Sequence, residues 1–249
     1  MVNKKTNGKV KRKTVGVRSD FFDDNRISDK IIWSLIAGIL GTILMGTSDW
    51  LMIFGDVTAK GNIEWLTEGV ANIEPGRNAM AMALAFPAVV LYAIGLFALK
   101  DVFLFERHNK VYKGLTAIGL TPWLAIHLFY TVMLFVFAWL RGNGQGEMAY
   151  SLVEAIMKQF WWIIPVGQTF MVLPFIYLMI ECFVGKTRFH RAMGLTNPLI
   201  IFVILKGISM LLGSSPYQLA FTNGLMSESM LVFFIIYICA FCKVKRYNF

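Results

Sequence analysis

Six apolar segments, each long enough to cross a lipid bilayer, constrain this chain more than any other feature. They run over 31–54, 80–99, 115–140, 161–184, 195–212 and 225–242. Each holds about 18 or more mostly apolar residues, the length a helix needs to traverse a hydrocarbon core of about 30 Å. Backbone that crosses lipid must satisfy its own hydrogen bonds, so such segments fold as helices. The expected fold is all-α: a polytopic membrane protein built as a six-transmembrane-helix bundle.

The basic residues orient this bundle. Nineteen Lys and Arg fall in 1–30, 100–114, 185–194 and 243–249, against four in 55–79, 141–160 and 213–224. Positive charge is retained on the cytoplasmic side of a membrane. The expected arrangement is therefore N-in/C-in in the cell membrane, with odd-numbered spans running outward. The net charge of +9 is then a consequence of topology, and nucleic acid is excluded as the partner. With 57% hydrophobic residues and short loops, the chain has no room for a soluble catalytic domain.

Three parts follow: a basic cytoplasmic tail (1–30), a transmembrane domain (31–242) and a second basic tail (243–249). Residues 1–18 carry seven Lys and Arg with no acidic or aromatic residue. Such a segment cannot bury enough apolar area to fold, and it suits anionic lipid headgroups on the inner leaflet. The first apolar run is too long, and too far into the chain, for a cleaved signal, so it is expected to stay as an anchor. Cys182, Cys239 and Cys242 lie near cytoplasmic helix ends, where thiols stay free.

Short amphipathic helices are expected on the outer surface. In the first outer loop Asn62 is a candidate N-cap, and Ile63, Leu66 and Val70 recur at helical spacing. In the second, Met148, Leu152, Ile156 and Phe160 form a four-residue repeat leading into the fourth span. Ala37, Gly38, Gly41 and Thr42 in the first span make a small face that admits another helix closely.

The polar residues within the spans carry the functional argument. An ionisable group in a bilayer is costly and marks a site with a partner. At about 1.5 Å of rise per residue, Asp49, His127, Gln168, Lys206 and Glu228 all fall between the midplane and the outer face. They come from five different spans, and Ser48, Thr131, Thr169 and Asn223 share their depth. One polar pocket open to the outside explains them together, with Lys206 paired to Glu228 or Asp49 and His127 as a base or proton relay beside a carboxylate. Glu181 lies apart, near the cytoplasmic end of its span. Pro87, Pro122, Pro165, Pro174 and Pro198 are expected to break helices, Pro165 at the depth of the pocket.

Several chemistries fall away. Three histidines cannot converge, because His108 and His190 lie in cytoplasmic loops far from His127. A mixed metal set of His127, Asp49 and Glu228 is conceivable but has no spacing that identifies it. Ser48 with His127 lacks the glycine of a nucleophile elbow. No phosphate loop, dinucleotide fingerprint or haem pair is present, so no cofactor is expected. The leading expectation is binding or translocation of a small polar or amphipathic molecule. The alternatives are a membrane-embedded enzyme acting on lipid, and a non-catalytic interaction or immunity-type protein whose charges only hold the bundle together.

Overall fold

The computed structural model describes residues 25–55 and 73–247. Seven α-helices occupy them: α1 Asn25–Ile53, α2 Pro75–Ala98, α3 Glu106–Gly142, α4 Gly146–Phe160, α5 Ile163–Phe183, α6 Pro198–Ser209 and α7 Pro216–Tyr247. The fold is all-helical, and among the described residues the only β-type pairing is an isolated bridge between Phe103 and Thr187. Five helices (α1, α2, α3, α5, α7) are long and apolar enough to cross a membrane. This is the fold of a multi-pass membrane protein. The expected helix over 62–73 lies almost wholly outside the described residues, as does most of the N-terminal tail.

The sequence explains where the helices begin. Pro75, Pro198 and Pro216 each occupy a first helical position, where the missing N–H costs nothing. Asn197 caps α6 by accepting from Leu199 N at 3.0 Å, and its Nδ2 donates to Phe175 O at 2.8 Å, tying α6 to α5. Pro198 therefore starts a helix rather than breaking one, and Pro165 likewise stands in the first turn of α5. Only Pro87, Pro122 and Pro174 are interior. The fifth apolar segment is consequently short: α6 and a 3-10 turn end at Leu212, followed by Gly213 at φ 61°.

Neighbouring helices form a closed sequence: α1 packs on α2 and α7, α2 on α3, α3 on α5, and α6 on α7 with a lighter contact to α5. The closest approach is α1 to α2. A Cβ on Gly41 would lie 2.6 Å from Tyr92 N, and one on Gly95 would lie 2.6 Å from Gly38 Cα. Lipid supplies no hydrophobic drive between helices, so close backbone approach and van der Waals contact do that work.

Two cores result. One joins Leu35, Tyr92, Leu99, Tyr112, Phe175, Phe233, Phe234 and Tyr237 at the end where α2 meets α3. Its rings interlock, with Phe233 and Tyr237 centroids 4.3 Å apart and Phe189 and Phe241 5.0 Å apart. At the same end, Leu104 N donates to Lys186 O at 3.0 Å and Arg188 N to Val102 O at 2.8 Å, latching two loops together. The other core gathers Met52, Ile53, Ala81, Leu134, Phe137, Ala149 and Val153 beneath α4. It is Ala149 and Val153 that seat α4 on the bundle, while Met148 and Leu152 of the apolar repeat point away from it. The small residues let α4 lie close, leaving the larger ones for the surroundings.

Candidate functional site

Between the two larger cores lies a mostly apolar cavity of about 200 Å³ with a few convergent polar groups, lined by Asp49, Met52 and Ile53 from α1, five residues of α3 that include Trp123, His127 and Tyr130, Ile164 and Gln168 from α5, and Asn223 from α7. Asp49 and His127 are buried at its floor, each 6% exposed, whereas Gln168 is exposed at its rim.

The floor is held from behind. Ser227 Oγ donates to Asp49 Oδ2 at 2.7 Å, and Asn223 Nδ2 approaches the Asp49 carbonyl at 3.5 Å. Ser48 Oγ donates to Ala81 O at 2.8 Å and stands 3.4 Å from His127 Nε2. A hydroxyl has one proton, and this one is committed to Ala81. Ser48 can therefore only accept from the imidazole, and in the neutral ring that puts the proton on Nε2 and leaves Nδ1 as an acceptor. Thr131 Oγ1 donates to the His127 carbonyl at 2.7 Å and fixes that turn of α3. His127 Nδ1 then faces Asp49 Oδ1 across 3.9 Å, too far for a hydrogen bond.

Ser48, His127 and Asp49 thus sit in line, but not as a nucleophilic triad. Ser48 is fully buried, lies off the cavity wall and has given its proton away. A serine nucleophile has to reach its substrate and hand its proton to histidine. The hydroxyl here positions the ring.

Asp49, His127 and Gln168 share one cavity; Lys206 and Glu228 do not. Glu228 lines a separate groove between α1 and α7 with Trp50, Thr42, Gly46 and Ser227. Its Oε1 accepts from Trp50 Nε1 at 2.9 Å, and its Oε2 makes no hydrogen bond. Among the described residues no carboxylate comes within 4.0 Å of Lys206. The expected Lys206–Glu228 pair does not form, because α7 turns Glu228 toward Trp50 of α1. Lys206 sits about 10 Å of rise from Leu212, where α6 and its 3-10 turn end, within a lysine's reach of the interface. The mixed metal set fails for the same reason: Glu228 is directed to Trp50, and no three His, Cys, Asp or Glu side chains converge among the described residues.

A second polar cluster lies near the loop latch. His108 Nδ1 is 2.7 Å from Tyr177 OH and 3.0 Å from Glu181 Oε2. Glu181 therefore pairs with His108 across α3 and α5.

The sequence singled out neither Ser227, Trp123 nor Tyr130. Ser227 had a signal: it follows Asn223 by four residues, so both lie on one face of α7. The model of a protein family of unknown function, DUF6796, matches residues 22–244. No curated protein and no solved structure matches the chain.

Proposed function

The chain belongs to that family, which assigns it no activity, and from the site we propose that this protein binds a small polar or amphipathic molecule in a pocket opening toward the outer face of the cell membrane. The observation that carries the reading is a buried carboxyl group and imidazole facing one another at the floor of a cavity with an exposed rim. Intramembrane ionisable groups of this kind are expensive unless they serve a site.

The sidedness belongs to the same proposal. Nineteen basic residues against four put both termini in the cytoplasm. The aromatic core then closes the cytoplasmic side of the pocket, and α6 crosses as a sixth, short span of about 24 Å, its bilayer locally thinned. The exposed faces of Val203, Ile204, Met210 and Leu211 suit acyl chains. The basic N-terminal tail lies on anionic headgroups. An outward pocket over a closed core favours binding, and translocation would require the Phe175–Phe233 layer to part.

Cysteine accessibility tests this. In a background lacking Cys182, Cys239 and Cys242, Gln168→Cys and Asn223→Cys are expected to react with a membrane-impermeant thiol reagent added outside intact cells. Phe175→Cys is expected to stay unlabelled. Labelling of the cavity positions only after the cytoplasmic side is exposed would overturn both the pocket's direction and the topology.

A further inference from the structure

We infer that the occupant of this pocket is a small protonated amine, an inference that rests on the pocket reading above and goes on to name the ligand class. The first argument is the sign of the lining. Asp49 is its one carboxylate, and no Lys or Arg contributes to the wall. Its oxygen atoms divide between two tasks: Oδ2 is held by Ser227, while Oδ1 is directed at the imidazole without bonding to it.

The second argument is the meeting of two acceptors. Because Ser48 spends its proton on Ala81, His127 presents the Nδ1 lone pair, and this faces Asp49 Oδ1 at 3.9 Å. Two acceptors directed at one another call for a donor that serves both. An N⁺–H group standing off that line reaches each at about 2.8 Å, the length of a charge-assisted hydrogen bond. Asn223 adds a third acceptor, since its Nδ2 is turned to the Asp49 carbonyl and its Oδ1 is left over. No cationic side chain lines the cavity to hold an anion.

The third argument is size and shape. A cavity of 200 Å³ exceeds only modestly the apolar cavity of about 150 Å³ that admits benzene. Trp123 and Tyr130 supply aromatic surface beside the carboxylate, and Trp123 lies 6.3 Å from the His127 ring centroid. Aromatic faces beside a carboxyl group that a bound cation would hold ionised favour an organic cation over a bare metal ion. The fit is an ammonium group on a body of roughly benzene's size.

Benzylamine, benzyl alcohol and benzoate share one body and differ in the head group, so they isolate this claim. Calorimetric titration of the intact protein in lipid nanodiscs, with empty nanodiscs subtracted, is expected to show benzylamine binding at least about tenfold tighter than benzyl alcohol, with no benzoate binding. Asp49→Asn retains the Ser227 contact and should bring amine and alcohol within about twofold, because a charge-assisted bond is lost. Ile164→Trp fills the cavity and should abolish all binding.

Equal affinity for amine and alcohol, or a ratio unchanged by Asp49→Asn, overturns the amine assignment. So does benzylamine binding that survives Ile164→Trp, since the ligand then sits elsewhere. Absence of binding by all three also overturns it. In each of these cases cysteine labelling at 168 and 223 decides separately whether the pocket itself is open to the outside.

Discussion

Gly41→Ala adds a single methyl group where α1 meets α2, and the structure fixes what that methyl encounters. Its Cβ would lie 2.6 Å from Tyr92 N, 2.8 Å from Ala88 O and 3.0 Å from Leu91 C, all backbone atoms. None can rotate away. Restoring ordinary contact of about 3.5 Å requires the helices to separate by about 0.9 Å. Two turns along α1, Ser48 donates to Ala81 O of α2 at 2.8 Å, and the same separation breaks that bond. Overpacking costs about 1–3 kcal/mol, and the buried hydrogen bond adds about 1 kcal/mol. Alanine returns up to about 1 kcal/mol of helix propensity. The net destabilisation is about 1–3 kcal/mol, or a fall in Tm of roughly 2–12 °C for a chain of this size.

Gly46→Ala is the control on the same helix. Its Cβ meets only Ser227 Cβ at 3.5 Å, an ordinary contact, so the propensity gain stands and Tm should hold or rise. Both variants can be followed by thermal denaturation of detergent-solubilised protein, monitored by size-exclusion chromatography. Equal Tm values for the two, or a more stable Gly41→Ala, would refute the close α1–α2 approach.

Other outcomes follow from the same geometry. Lys206→Met and Glu228→Gln should act additively, with a coupling energy below about 0.5 kcal/mol in a double-mutant cycle of thermal stability; coupling above about 1 kcal/mol would restore the ion pair that the structure lacks. Asn197→Ala loses the cap of α6 and the bond to Phe175 O, a cost of about 1–2 kcal/mol. Hydrogen exchange should then quicken across 198–212, and unchanged protection there would contradict the capping role. Ser48→Ala leaves the His127 Nε2–H without its acceptor, costing about 1–3 kcal/mol, while the Ala81 carbonyl keeps its bond within α2. Wild-type Ser48, with its proton committed, should stay unmodified by a fluorophosphonate in intact-mass analysis, and stoichiometric labelling would reinstate it as a nucleophile.

The sequence made the helices legible because lipid leaves backbone no alternative. Apolar length alone places α1, α2, α3, α5 and α7, and the glycines of the first span mark the face that α2 occupies. The shortness of α6 was also written there, in Asn197-Pro198, but an apolar run continuing from Leu195 hid it. Depth could be counted at a fixed rise per residue, and it grouped Asp49, His127 and Gln168, which line one cavity.

Rotation about each helix axis could not be counted. Glu228 shares that layer and faces Trp50, while Lys206 shares it and faces no acid. In α4 the four-residue repeat was real, yet packing selected the smaller Ala149 and Val153 for the inner face. The direction of a single proton, from Ser48 to Ala81, decides the histidine tautomer, and it depends on α2 lying close enough to accept it.

The most direct measurement is a high-resolution cryo-EM or crystal structure of the protein in lipid with benzylamine bound. The expected result is ligand density between the Asp49 carboxylate and the His127 imidazole, its nitrogen within about 3 Å of both, in a cavity with Gln168 at its rim. An acyl chain filling that space, or Asp49 and His127 turned away from one another, would contradict the claim that these two residues form the floor of a polar binding pocket.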